Sequence, residues 1–312
     1  MNDYKVLYPF KNSDYQFFMQ DLADELIGFG VPKVNPLGIP YKIRLLVAKI
    51  GLSRNIPLFS NNNQLFVLCA GYPDYAVFPF GYTNNIVPIL WDTWPKYWGN
   101  IIASFKRHNV KRAFFTQRQV AEYVQKKLPQ VQCFYIPEAL NPKGYKKGEK
   151  LDTRRIDVLE LGRLYVPIHQ EVLKLSNTTK LTHLYADEVT KKLLFESFEE
   201  LTRGLADSKI VINYPRCITH PQMAGNVETL TQRYWECMYS RCVMVGHAPQ
   251  ELIDFIGYNP VIEATQDTIQ NVIKEILANP EQFQGLVDSN YDVAVNCGSW
   301  KSRIPLILHP NK

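Results

Sequence analysis

The chain has 312 residues, 46% hydrophobic, 12% aromatic and 21% charged, which is room for two packed domains with sizeable cores and excludes disorder along most of the length. The formal charge of +5 hides an asymmetry: residues 1–150 carry 19 Lys and Arg against 10 Asp and Glu, whereas residues 151–312 carry 16 against 20. A basic first half suits anionic lipid headgroups, a phosphorylated substrate or nucleic acid, and the last is disfavoured because no RNA-binding signature, zinc finger or heptad array accompanies the charge.

In chain order, Val6-Leu7-Tyr8 opens as a strand and Asp14 to Gly28 carries helical periodicity up to a Gly-Phe-Gly stop. Val31 to Asn63 is rich in Pro, Gly and Asn and gives the weakest signal for any element. Strands are predicted at 65–70, 75–78 and 86–91, then a helix over 95–107, a strand over 112–115, a helix over 117–127 and a strand over 133–136. The stretch 137–155, with its prolines, glycines and lysines, reads as an exposed linker. The alternation then restarts, with strands at 156–161, 181–185, 209–214 and 242–245. Helices are predicted over Asp187 to Arg203 (stopped by Gly204), over Thr229 to Ser240, from Pro249, and from Thr265 and Glu281 to the end.

This is the pattern of two α/β, Rossmann-like domains, expected to face one another across a cleft. The expected division is residues 1–138 as a first Rossmann-like domain, 139–155 as linker, 156–295 as a second Rossmann-like domain and 296–312 as a C-terminal helix packing back on the first. No apolar run reaches the roughly 20 residues of a bilayer span and the start lacks the layout of a secretory signal. The expectation is a cytoplasmic protein, with peripheral contact at the membrane inner face left open to the basic half. Six scattered cysteines, without any Cys-x-x-Cys pair, read as reduced and mostly buried, and no metal-ligand set is expected.

There is no Gly-x-Gly-x-x-Gly, no phosphate-binding Gly-x4-Gly-Lys-Ser/Thr loop and no Asp-x-Asp, which takes away the main sequence support for a dehydrogenase, an ATPase or a metal-dependent glycosyltransferase. The informative segment runs from Gly225 to Glu236. Glu228 lies in a loop after a strand and Glu236 eight residues on, within the following helix, whose start offers backbone N–H groups and a positive dipole end to a phosphate. By spacing alone, two such glutamates also fit surface or capping roles. Leu90-Trp91-Asp92-Thr93-Trp94 puts a carboxylate at the carboxyl end of an apolar strand, where an open α/β sheet presents ligand-contacting groups; Asp92 as N-cap of the helix from Pro95 is the alternative.

Asp157-Val158-Leu159-Glu160-Leu161-Gly162-Arg163-Leu164, the Glu-x7-Glu segment, Cys242-Val243-Met244-Val245-Gly246 and Pro249-Gln250-Glu251-Leu252 occur in order at fitting separations. Together they resemble the donor half of the group 1 retaining glycosyltransferases (family 4), which have the GT-B fold. The resemblance covers residues 132–263 by motif, and it implies that residues 1–138 are the acceptor-side domain and 156–295 the nucleotide-sugar-binding domain. It implies that Glu228 holds hydroxyls of the transferred sugar and Glu236 the ribose, that Thr231 and Gln232 offer backbone amides to sugar and diphosphate, and that Gly162 and Arg163 meet the diphosphate. Arg216, Arg233 and His220 are further candidate phosphate contacts, because the family's Lys is replaced by Ile168 with His169 beside it. The catalytic pair expected is Glu228 and Asp92. The implied activity is retaining, metal-independent transfer from a nucleotide diphosphate sugar to a glycan, lipid-linked or small-molecule acceptor, with no cofactor. A degenerate nucleotide-sugar-binding protein and a GT-B nucleotide-sugar epimerase are the alternatives.

Overall fold

The computed structural model describes residues 4–9, 18–52, 63–186 and 193–310. Eleven strands among them form two wholly parallel sheets. The first contains β1 (Tyr4–Leu7), β2 (Lys33–Val34), β3 (Gln64–Ala70), β4 (Asn85–Trp91), β5 (Arg112–Phe115) and β6 (Gln132–Tyr135), in the order β2-β1-β3-β4-β5-β6. Its central strands read as continuous apolar runs, Leu65 to Cys69 and Ile86 to Trp91, and every residue of both runs is buried. Runs of that kind need cover on both faces, which crossover helices supply.

The second sheet contains β7 (Ile156–Glu160), β8 (His183–Tyr185), β9 (Ser208–Asn213), β10 (Val243–Gly246) and β11 (Val261–Glu263), in the order β11-β10-β9-β7-β8. One face packs Leu159, Val211 and Met244 with Trp235 and Met238 of the helix Gln232–Tyr239. The other packs Val158, Ile210, Val243 and Val245 with Ile168 and Val172 of the helix Val166–Thr178 and with Ile269 and Ile273 of the helix Ile269–Ala278.

The chain divides into two units, each holding one sheet. The first unit gathers residues 1–138, 222–229 and 300–312, and the second takes 139–221 and 230–299. In the first, the C-terminal segment lies on the sheet: Trp300 meets Trp91 edge to face at 5.7 Å between ring centroids, and the fully buried Arg303 donates Nε–H to the Pro137 carbonyl at 2.8 Å.

Several elements differ from the sequence reading. Residues 75–78, expected as a strand, belong to a one-turn helix, Asp74–Val77. Pro73 precedes it, and the buried Asp74 carboxylate accepts hydrogen bonds from Ser104 Oγ and His108 Nε2, both at 2.7 Å, and pairs with Arg107. The expected helix from Asp14 begins outside the described residues and is seen as Phe18–Gly28. Of the helix expected over 187–203, positions 187–192 also lie outside them, and the helix seen is Phe198–Ala206.

The start at Phe198 is fixed by side-chain capping around Ser197. Ser197 accepts from Glu200 N, while Glu200 Oε2 accepts from Glu196 N at 2.8 Å. Gly204 sits inside this helix rather than ending it, and a Cβ there would lie 2.2 Å from the Phe195 ring. The stretch 31–63 supplies β2 and a helix, Tyr41–Lys49. The helix Val166–Thr178 and β11 were not anticipated. Three of the cysteines, Cys133, Cys217 and Cys297, are only half-buried.

The stretch 139–155 is exposed at ten of its seventeen positions but is tied down at others. Ala139, Leu140 and Leu151 are buried, and Arg154 is buried with Nη1 on the Ser208 carbonyl at 2.7 Å and Nε and Nη2 on the Glu149 carbonyl.

Candidate functional site

In the second unit the strand order reverses between β7 and β9: the chain leaves β7 for β8 on one side and returns to β9 on the other. Ligands of open parallel sheets bind at the carboxyl edge of such a switch point. β7 ends at Glu160 and turns through Gly162, whose φ of +77° is left-handed, into Arg163 and Leu164. A Cβ at Gly162 would meet nothing within 4 Å, so the backbone conformation alone favours glycine there. Arg163 is exposed. Tyr165 packs against Tyr214, which follows β9, at 5.2 Å, and Tyr214 donates its hydroxyl proton to the Ala264 carbonyl at 2.7 Å. Burial pushes the Tyr214 phenol pKa up, keeping it a donor.

From β9 the chain passes two one-turn helices, Arg216–Thr219 and Pro221–Ala224, to the helix Gln232–Tyr239. Since that helix precedes a parallel strand, its start lies at the same carboxyl edge. Thr231 is the N-cap in extended conformation, and its side chain makes no capping bond. The amide of Leu230, just before it, is taken by the buried Glu251 carboxylate. Gln232 Nε2 reaches the Ala139 carbonyl at 3.4 Å. Within the helix, Glu236 is 8% exposed, accepts a hydrogen bond from Tyr145 Oη at 2.8 Å through Oε1 and pairs with Arg233 at 2.5 Å through Oε2. Burial works against the Arg233 charge, and the Glu236 carboxylate together with Cys237, Tyr145 and Cys242 outweighs it, so the guanidinium pKa lies above its ordinary value. Arg233 is thus engaged by Glu236. A carboxylate has about four lone-pair sites, so Glu236 keeps acceptor capacity beyond these two partners. His220, half-buried, has Nδ1 3.0 Å from Thr219 Oγ1, and Arg216 opens the first one-turn helix.

The position of the family's Lys is accounted for. Ile168 is 1% exposed in the core, and His169 Nδ1 lies 2.8 Å from Glu160 Oε1.

Both expected catalytic carboxylates belong to the first unit. Glu228 is half-buried, and the Gln119 side chain holds its backbone from two sides: Oε1 accepts from Glu228 N at 2.7 Å while Nε2 donates to the Asn226 carbonyl at 3.1 Å. Asp92 follows β4, exposed, at a φ of +50° that a non-glycine residue rarely adopts. It does not cap the helix after Pro95; that N-cap is Trp94. The next residue, Thr93, is fixed by the buried Gln117, whose Oε1 accepts from Thr93 N at 2.8 Å and from its hydroxyl. Thr116, whose simplest reading is an N-cap, gives its hydroxyl to the Leu90 carbonyl instead, and the cap position falls to Gln117.

The structure therefore gathers Gly162, Arg163, Arg216, His220, Thr231, Gln232 and Glu236 in one unit and Asp92 and Glu228 in the other. Sequence reasoning missed Gln119, Tyr145 and Glu251 as supports. Glu251 stands within the Pro249 motif, whereas Gln119 and Tyr145 have no local signal.

No family model and no curated protein matches the sequence. Solved structures do match it. HepE of Anabaena, crystallised with UDP and glucose, superposes at a TM-score of 0.63 with 10% identity over 98% of this chain and 99% of its own. Sucrose-phosphate synthase of Thermosynechococcus elongatus gives 0.60 with 11% identity over 96% of each chain. TarM gives 0.52 with 14% identity over 80% of this chain, which spans 54% of TarM. The chain has an α/β fold of two parallel sheets, and it is the fold of these GT-B glycosyltransferases.

Proposed function

We propose that the chain is a glycosyltransferase that takes a sugar from a nucleotide diphosphate donor and passes it, with retention, to an acceptor bound by the basic first unit. The observation that carries this is the carboxyl edge of the second sheet. Two neighbouring strands, β7 and β9, lead there to a glycine turn bearing Arg163 and to a helix whose N-cap side chain leaves its first amides to other partners. A departing diphosphate needs fixed positive charge, and a guanidinium with a helix N-terminus supplies it without a divalent ion on the phosphates. Glu236 then receives the ribose and Glu228 the sugar hydroxyls. No side chain is assigned as general base, since in front-face transfer the leaving phosphate itself takes the acceptor proton.

UDP and UDP-glucose, with which HepE was crystallised, are the probes to try first, followed by other UDP-sugars. Calorimetric titration should show UDP binding in magnesium-free buffer, with affinity changed less than about twofold by added magnesium or manganese. Arg163→Ala should weaken UDP about tenfold to a hundredfold while leaving uridine unaffected, the loss of one charge-assisted hydrogen bond of about 1.5–3 kcal/mol. Once an acceptor is found, the product anomer read by NMR tests retention. Equal losses for UDP and uridine would make Arg163 structural, and a magnesium requirement would remove the fixed-cation mechanism.

One observation favours a second reading, a nucleotide-sugar-binding protein without turnover. The family's Lys position is a buried Ile168, and the neighbouring His169 and Arg233 are both engaged by glutamates. Donor binding with neither transfer nor slow hydrolysis across an acceptor panel would decide for it.

A further inference from the structure

Glu160, the last residue of β7, is 3% exposed, and its Oε1 lies 2.8 Å from both His169 Nδ1 and His183 Nε2. The three side chains come from three elements: β7, the first turn of the helix Val166–Thr178, and the first residue of β8. Strand register explains the meeting. His183 stands opposite Val158 and Tyr185 opposite Glu160, so all four share the face of the sheet that the helix covers. The Tyr185 ring packs against both imidazoles, at 4.6 Å from His169 and 4.8 Å from His183, and His183 Nδ1 is buried without a hydrogen-bond partner among the described residues.

Each of the three groups offers a lone pair, and the three ligand atoms lie within 4.8 Å of one another. Two imidazole nitrogens and one carboxylate oxygen are a donor set that zinc accepts, with a fourth position left for water. Ligand atoms of a tetrahedral zinc stand roughly 3.3 Å apart for bonds of about 2.0–2.1 Å. Each histidine therefore has to retreat from Glu160 by about half an ångström, and the two imidazole nitrogens, within 4.8 Å of each other, have to settle at that same spacing, which side-chain rotation provides.

We propose that Glu160, His169 and His183 form a site for a divalent transition-metal ion of the zinc class. The ion would tie the helix Val166–Thr178 and β8 to the end of β7, two residues before Gly162 and three before Arg163. Its role is to fix the strand end that carries the turn. It is a separate matter from charge on a diphosphate, and it stands whether or not the chain transfers sugars.

The test uses the full chain without a histidine tag, stripped with a chelator, dialysed, and titrated with cobalt(II) and then zinc(II). One equivalent of cobalt should give the visible d–d bands of a four- or five-coordinate ion. Zinc should displace it and raise the melting temperature, as any ligand of the native state does. Glu160→Gln, His169→Gln and His183→Gln should each weaken binding by more than a hundredfold. His247→Gln, which alters an exposed His247–Glu263 pair in the same unit, should leave binding unchanged. Far-ultraviolet circular dichroism separates a lost site from a lost fold, and if a histidine variant fails to fold, Glu160→Gln together with the wild-type stoichiometry decides. Absence of cobalt bands and of any zinc-dependent rise in melting temperature in the wild type would overturn the proposal. So would binding by a folded Glu160→Gln variant equal to that of the wild type.

Discussion

Replacing Glu236 separates the stability it contributes from its proposed place in the site. The residue is 8% exposed and its carboxylate has two partners, the Tyr145 hydroxyl at 2.8 Å and the Arg233 guanidinium at 2.5 Å. Glu236→Ala removes both and leaves Arg233 as an uncompensated charge beside the core. Breaking a buried pair costs about 3–5 kcal/mol, and because the Arg233 side chain is 29% exposed the lower end applies, about 3 kcal/mol. Glu236→Gln keeps an oxygen for Tyr145 and loses only the charged partner, so its cost should be about 1.5 kcal/mol. Urea unfolding of the two variants and of Tyr145→Phe, with the slope compared across all of them, reads these values. Nucleotide titration of the folded Gln variant then reads the second role: UDP affinity should fall about tenfold, whereas in Glu228→Gln it should stay at the wild-type value while transfer drops. A Glu236→Ala cost under about 1 kcal/mol would refute the buried pair, and an unchanged UDP affinity in folded Glu236→Gln would refute the ribose assignment.

Three further outcomes are expected. Asp74 is buried, which by itself would raise its pKa, but hydrogen bonds from His108 and Ser104 and the charges of His108 and Arg107 bring it below the ordinary 3.8. The folded state thus binds that proton more weakly than the unfolded chain, so the stabilisation is complete above about pH 4 and is lost as pH falls through the folded value. Asp74→Asn should cost about 3 kcal/mol at pH 7 and flatten the acid limb of the stability curve; a limb as steep as that of the wild type would refute the assignment. Gly246→Ala should destabilise by at least about 3 kcal/mol in urea unfolding, since its φ is +143° and a Cβ would lie 2.0 Å from the Asn213 carbonyl oxygen across the β9–β10 pair. Gln119→Ala removes two exposed hydrogen bonds, so it should cost under about 2 kcal/mol of stability yet lower transfer more than UDP affinity, measured side by side.

What could be read from the sequence was whatever a single element states about itself. The buried runs of β3 and β4 declare strands on both faces at once, and 112–115 is strand over the expected residues. Tyr75-Ala76-Val77-Phe78 shows the same apolar character but is governed by Pro73 and by the partners of Asp74, which lie about 30 residues away. The same limit divides the site. Gly162 and Arg163 follow a recognisable strand, and Glu236 sits in a recognisable helix. The anchoring of Glu236 by Tyr145, of Leu230 N by Glu251 and of Glu228 N by Gln119 spans 91, 21 and 109 residues. Local periodicity carries no record of such pairings, nor of the meeting of Glu160 with two histidines that sequence shows only as isolated residues.

The first unit is assembled from three separated stretches, the last of which supplies Trp300 against Trp91 and Arg303 against the Pro137 carbonyl. During synthesis its sheet is therefore translated long before the pieces that close it, and the whole of the second unit emerges from the ribosome in between. The interior around Trp91 stays open until residues 300–310 are available, so this half of the molecule completes its folding only after they have left the ribosome. A released chain truncated after residue 299 should accordingly be cleaved by protease in the first unit while the second already resists.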